Sequence, residues 1–331
     1  MKETREAEMI LSAINKNVAD KKWKCIIENC EEYAINSHIY QQNGILNSVA
    51  ENGHLMEVKP IDIFKWQDKK FHEITNFKRI GIKQAFSYPT LCNHHDTSIF
   101  LDIERHPIDL NNYKNQLLFF YRTLLSAKRK TQIVLDKETR ITKSQILASN
   151  PYCGSVINMS LKNIGVINDL LVRHDAEISR ISNDILNDYK SFTIIKFEYD
   201  LVKAYGMSMN FSPESQNFVY TNVFPYDGKT IVIVGSFTEK TDLWTKQYFD
   251  TWRNLTSRDF EIKLTTFLAK NSENWGLSPK IVENIKAEDL NKFLKLKSDI
   301  VTKGMLSDIE LILDLGYQMD YNFFAENNYG S

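Results

Sequence analysis

The chain of 331 residues carries 41 Lys+Arg against 42 Asp+Glu, with seven His and four Cys. A net charge of −1 supplies no global field, which argues against a generic polyanion binder or a membrane-surface protein steered by bulk charge. The 43% of hydrophobic residues argue against wholesale disorder, and four Cys are too sparse for a disulfide scaffold. No stretch approaches the ~18–20 apolar residues that cross a bilayer. Residues 1–8 are polar and acidic where a secretory signal has an apolar core, so the expected setting is cytoplasmic, without membrane contact.

In chain order, Met9, Ile10, Ala13, Ile14 and Val18 recur at helical spacing and predict an opening amphipathic helix over residues 5–22. Residues 32–49 read as short helical or irregular pieces. His54 to Val58 reads as an extended run after Gly53, stopped by Pro60. Residues 61–83 suggest a hairpin built from I-D-I-F-K-W and F-H-E-I-T-N-F. Pro89 forces an extended approach to Leu91 and Cys92, followed by a helical turn over residues 93–100.

Pro107 and the polar residues 109–112 mark a boundary between a module of residues 1–106 and a second region, 107–331. A helix is expected over residues 113–130. After the Asn150-Pro151 turn, a long one follows over residues 156–187, where Ile157, Leu161, Ile164, Leu171, His174, Ile178, Ile181 and Ile185 step by three and four. That stripe suits pairing with the 113–130 helix or contact with a protein partner or second copy. Strands follow over residues 192–199, 218–224 and 230–237, the last two joined by a turn at Pro225-Tyr226-Asp227-Gly228. Helices return from Leu243, with starts at Ser278-Pro279 and Ala287. The expected fold class is α+β: an N-terminal zinc-stabilised module, a helical hairpin, a small antiparallel sheet and C-terminal helices.

The positions of Cys and His carry the strongest chemical signal. Cys25, Cys30 and Cys92, with His38, His54, His72, His94, His95 and His106, fall in the first third of the chain; only Cys153 and His174 lie beyond. Cys25-x4-Cys30 lets two thiolates reach one tetrahedral Zn²⁺ from a knuckle-like turn, and Cys92-x2-His95 supplies a second pair. Such a Cys3His site couples metal binding to folding. The alternative is ordinary thiols with surface imidazoles, and His94 competes with His95 as the fourth ligand. His38 is open to three readings: a ligand, a general base beside the metal, or a donor to backbone. Asp96 either serves the metal chemistry or is a carboxylate near a helix start. Asp102 and Glu104, if extended, share one face.

The order Cys25-x4-Cys30, Ser37-His38, Leu91-Cys92-x2-His95 resembles the treble-clef arrangement of His-Asn-His (HNH) endonucleases. The resemblance covers residues 20–106. It implies structural zinc on Cys25, Cys30, Cys92 and His95 and His38 as general base on a water attacking phosphate. It further implies Mg²⁺ or Mn²⁺ as catalytic ion and DNA or RNA as substrate. The usual metal-binding His on the helix is replaced by Ile99 or Phe100, so Asp96 or His94 would substitute. This reading makes the chain a nuclease effector, of a phage-defence or toxin kind; the alternative is a non-catalytic zinc-stabilised regulatory or protein-interaction module.

Dinucleotide, P-loop, α/β-hydrolase and zincin signatures are absent. Residues 1–106 hold 14 Lys+Arg and 15 Asp+Glu, so phosphate neutralisation would fall to clusters such as Lys128-Arg129-Lys130 or Lys65, Lys69 and Lys70. Both clusters read more simply as solvated surface.

Overall fold

The computed structural model describes residues 2–60, 75–270, 274–303, 311 and 313–325. Its longer helices are α1 (Lys2–Ala19), α3 (Asn93–Glu104), α4 (Tyr113–Thr142), α6 (Gly154–Asn187), α8 (Ser257–Lys270) and α10 (Ala287–Lys303). Shorter ones are α2 (Asn47–Val49), α5 (Gln145–Ser149), α7 (Leu243–Asp250) and α9 (Pro279–Asn284). The strands are β1 (Asn36–His38), β2 (His54–Pro60), β3 (Thr75–Gly81), β4 (Ser87–Pro89), β5 (Phe192–Asp200), β6 (Ala204–Phe211), β7 (Phe218–Tyr226), β8 (Lys229–Phe237) and β9 (Asn274–Leu277). The chain is therefore mixed helix and sheet, compatible with the expected α+β class. Two compact units emerge: Met1–Ile39 with Ser87–Asp102 and Tyr121–Asp188, and Tyr40–Phe86 with Ile103–Phe120 and Tyr189–Ser331. Segments from both sides of residue 106 enter each unit.

The first unit is helical around a two-stranded β1–β4 ladder. In α6, Ser160, Ile167, His174 and Ile181 are buried at seven-residue steps. The partly buried Ile157, Ile164, Leu171, Ile178 and Ile185 interleave with them, which makes a 3.5-residue seam. The seam meets α4 of the same chain. Ser182 Oγ donates to Tyr121 Oη at 3.2 Å and Lys128 pairs with Asp175 at 2.5 Å, so one helix advances as the other retreats. This is the helical hairpin that the spacing predicts. At its far end Ala7, Ile14 and Val18 of α1 pack with Ile141, Leu147 and Cys153.

The second unit is built on a seven-stranded antiparallel sheet in the order β3-β2-β9-β6-β7-β8-β5. It is larger than the small sheet expected, because β2 and β3 join it from before residue 106 and β6 and β9 add two further strands. Strands β7 and β8 are buried along nearly all their length, so alternate residues serve two cores. Val219, Val223, Val232 and Val234 pack with Trp244, Tyr248, Phe260, Leu264 and Phe267. On the other face Tyr220 stacks on Phe120 at 4.9 Å and Phe224 on Phe119 at 4.6 Å. Each buried Phe contributes roughly 1.5–3 kcal/mol. Gly235 permits this close approach, since a Cβ there would lie 2.4 Å from Phe120 Cε2 and 2.9 Å from the Thr193 carbonyl oxygen. The β7–β8 turn places Asp227 (φ 49°) and Gly228 (φ 72°) in left-handed backbone, the conformation a two-residue type I′ hairpin loop requires.

Several local expectations change. Residues 36–38 form a strand where irregular structure is expected, because they pair with residues 87–89 contributed from far along the chain. β3 pairs with β2, with Met56 opposite Arg79. The expected hairpin partner of β3, I-D-I-F-K-W, lies outside the described residues. The tail helices begin where predicted, with Ser278 as N-cap and Pro279 in the first turn of α9.

One buried group on the α4–α6 seam has a pH signature. His174 is 1% exposed; burial, helped by the Lys128 ammonium and opposed by Asp175, pushes its pKa down to about 4. The folded state therefore holds it neutral, while the unfolded chain protonates it below about 6.5. Its contribution is complete above pH 6.5 and is lost as pH falls towards 4, a loss of up to about 3 kcal/mol. Urea denaturation of wild type and His174→Leu at pH 7, 5 and 4 is expected to show the wild type losing more stability across that window.

Candidate metal centre

Residues 23–34 fold back on themselves as a strap. Lys24 and Tyr33 form an antiparallel bridge, Ala34 N–H donates to the Trp23 carbonyl at 2.9 Å, and Cys25 N–H donates to that of Glu32 at 2.8 Å. At the tip, Asn29 adopts left-handed backbone (φ 61°) and Cys30 N–H reaches the Ile27 carbonyl at 3.2 Å. The strap is laced to the segment after β4: Ile26 N–H donates to the Thr90 carbonyl at 2.9 Å and Ile35 N–H to that of Leu91 at 2.7 Å. Leu91 N–H returns a bond to Ser37 Oγ at 3.2 Å. Cys92 then opens α3, its carbonyl accepting Asp96 N–H at 2.9 Å. Three residues on, His95 lies on the same face of the first helical turn.

This lacing brings four soft donors together. Cys25 Sγ lies 3.4 Å and Cys92 Sγ 3.2 Å from His95 Nδ1, and Cys30 Sγ lies 3.9 Å from Cys92 Sγ. All four donor atoms fall within 4.8 Å of one another, an arrangement that could hold a metal ion. Bonds of about 2.3 Å to sulfur and 2.0 Å to nitrogen give tetrahedral edges of about 3.8 Å between sulfurs and about 3.5 Å from sulfur to nitrogen. These three of the six donor separations lie within about 0.3 Å of such edges. All four cysteines are free, and a 3.9 Å sulfur–sulfur distance is nearly twice the ~2.05 Å disulfide bond.

The surroundings act on the two buried thiols in opposite directions. Burial pushes the Cys25 thiol up, against the pull of the Ile27 and Cys92 amides. Burial would raise Cys92 as well, but the His95 amide, the Cys30 and Cys25 thiols and the His94 amide outweigh it and bring it below the usual thiol value. Three thiolates with a divalent ion leave one negative charge. Arg129, only 3% exposed, stands beside the strap: its Nη2 donates to the Lys24 carbonyl at 2.6 Å and its guanidinium lies 4.8 Å from the Trp23 ring centroid. Burial lowers its pKa to about 10, with Cys25 acting in the opposite direction.

The other sequence candidates are placed differently. Among the described residues, neither His38 nor His94 belongs to the convergent donor group. His38 is half-buried on β1, opposite Ser87, with the buried Ser37 pointing to the other face. His94 is exposed, its ring tilted against that of His95 at 5.3 Å. Asp96, in the first turn of α3, lies 3.9 Å from Nη2 of the buried Arg122, whose guanidinium stacks 4.2 Å over Phe100. Asp102 and Glu104 are helical, not extended, so their two-residue spacing places them on opposite sides of α3. His54 Nδ1 bonds the Asn52 carbonyl oxygen at 2.8 Å, and the His106 ring lies against Tyr226. His72, Lys65, Lys69 and Lys70 lie outside the described residues.

Arg122 is not among the residues the sequence singles out, and Arg129 is there only as a member of a basic cluster. The Lys128-Arg129-Lys130 cluster is not solvated surface: Arg129 backs the strap and Lys128 pairs with Asp175. Two arginines seven apart, and so on one face of α4, were the available signal.

Cys25→Ser is expected to abolish metal retention and to lower thermal stability, because metal binding and folding of the strap are linked. Cys153→Ser, in the α1 cluster, is expected to keep the metal; inductively coupled plasma analysis of both variants with melting curves checks the pair. Compared with models of known protein families, with curated proteins and with solved structures, the chain matches none, so the ground for any reading of this centre is its own donor chemistry.

Proposed function

We propose that Cys25, Cys30, Cys92 and His95 hold a structural Zn²⁺ in a treble-clef-like module, and that the module carries an HNH-like site hydrolysing phosphodiesters of DNA or RNA. The observation that supports this reading is the order of elements around one donor cluster. A Cys strap precedes β1, β1 pairs antiparallel with β4, and β4 runs within three residues into Cys92 and α3. Four protein donors fill a tetrahedral shell, which assigns the zinc to structure and leaves hydrolysis to neighbouring groups.

In this reading His38 on β1 accepts a proton from water, whose oxygen attacks phosphorus while the bridging P–O bond to the leaving sugar oxygen breaks. Asp96, with the exposed His94, would place a Mg²⁺ or Mn²⁺ ion. A second reading has its own support. Asp96 sits in ion-pair range of Arg122, and Phe100 lies under that guanidinium where a metal-binding His would be needed. Those two facts favour a non-catalytic zinc-stabilised module that binds a protein or regulates one.

The readings separate in a cleavage assay with duplex and single-stranded DNA and RNA in Mg²⁺, Mn²⁺ or Ni²⁺. His38→Ala is expected to reduce cleavage by about 100-fold or more while retaining zinc and the wild-type melting temperature. Undiminished cleavage would reject His38 as the base. An inactive wild type with one bound zinc would favour the non-catalytic module.

A further inference from the structure

Strand β5 lies at one edge of the seven-stranded sheet. Among the described residues it pairs with β8 alone, antiparallel, with Phe192 opposite Phe237 and Asp200 opposite Lys229. One step before that register, Thr238 N–H donates to the Ser191 carbonyl at 2.8 Å. Bonded and non-bonded pairs alternate along an antiparallel ladder. The odd-numbered residues of β5 therefore exchange bonds with β8, and the even-numbered ones turn their N–H and C=O groups to the open edge. The Phe192 N–H, first of the outward set, donates to Tyr113 Oη at 3.0 Å. Ile194, Lys196, Glu198 and Asp200 follow, with no Pro and no bulge in the register. Lys196 Nζ donates to Glu198 Oε1 at 2.8 Å, while Ile195, Phe197 and Tyr199 pack against the core on the other face.

An open edge is a template for another strand, and a lone Lys blunts it by repelling its own copy. β5 instead carries Lys196 and Glu198 on one face, two residues apart. A two-fold axis at Phe197 makes that pattern complementary to itself. Lys196 of each copy then faces Glu198 of the other, Ile194 faces Asp200, Ile195 faces Tyr199 and Phe197 faces its own copy. In the same register the outward set meets the outward set, so each even-numbered pair can exchange two backbone bonds. Sliding the copies by two residues either way opposes Lys196 to Lys196 or Glu198 to Glu198. Sliding by one sets outward backbone groups against groups already bonded to β8. We propose that two copies of this chain associate edge to edge through β5, antiparallel about Phe197, with a Lys196–Glu198 pair on each side of the axis.

Sedimentation equilibrium of the full chain tests this, and a reversible monomer–dimer equilibrium is expected with its midpoint below about 100 µM. Lys196→Glu and Glu198→Lys each set like charges across the axis and should weaken the dimer by about tenfold or more. The double variant K196E/E198K exchanges both charges and should restore the affinity to within about threefold of wild type, a recovery that disruption of the strand would not give. Glu198→Pro removes one outward N–H while leaving the bonds to β8 in place, and should give a folded monomer. A wild type that stays monomeric to about 100 µM would overturn the proposal. So would a dimer that both single charge variants leave unchanged, which would assign association to another face, or one that the charge exchange fails to restore. The wild-type measurement decides even where a variant fails to fold.

Discussion

Three thiols within 4.8 Å of one another and of an imidazole cannot all ionise without repelling, and a cation at their centre turns that repulsion into attraction. The first unit is arranged around this constraint. The strap carrying Cys25 and Cys30 is separated by about sixty residues from Cys92 and His95. Backbone bonds from Ile26 and Ile35 to residues 90 and 91 bring the two halves together. The backbone lacing sets the approach of the sulfurs; a bound ion would lock it. The α4–α6 hairpin supports the assembly from behind, since Arg129 of α4 reaches the Lys24 carbonyl and Arg122 reaches Asp96 at the first turn of α3.

The second unit meets a different constraint. Its central strands are buried on both faces, so the backbone ladder satisfies the polar groups and alternate side chains fill two cores. The fit of Gly235 against Phe120 leaves no room for a methyl group.

Features legible in the sequence are those encoded locally. The seven-residue recurrence of α6, the Asp227-Gly228 turn, the Ser278-Pro279 helix start and the pairing of Cys25 with Cys30 each lie within a few turns of chain. The donor set was legible too, because Cys and His concentrate in the first third of the sequence. Distant pairing was not. β1 is three residues whose only reason to extend is β4, and β6 and β9 lack alternation because both their faces are covered. Arg129 read as surface charge because a Lys-Arg-Lys run carries no mark of which cation turns inward. The replacement of a helix His by Phe100 was visible at once, but its consequence, a ring beneath Arg122 beside Asp96, needed the α4 contact.

We propose that Cys25, Cys30, Cys92 and His95, which could hold a metal ion, form one closed zinc shell. X-ray absorption at the zinc edge of purified protein, combined with metal stoichiometry, tests it most directly. One zinc per chain is expected, with three sulfur neighbours at about 2.3 Å and one nitrogen at about 2.0 Å. Protein that is folded but free of metal, or a shell with fewer sulfurs and a water oxygen, would contradict it.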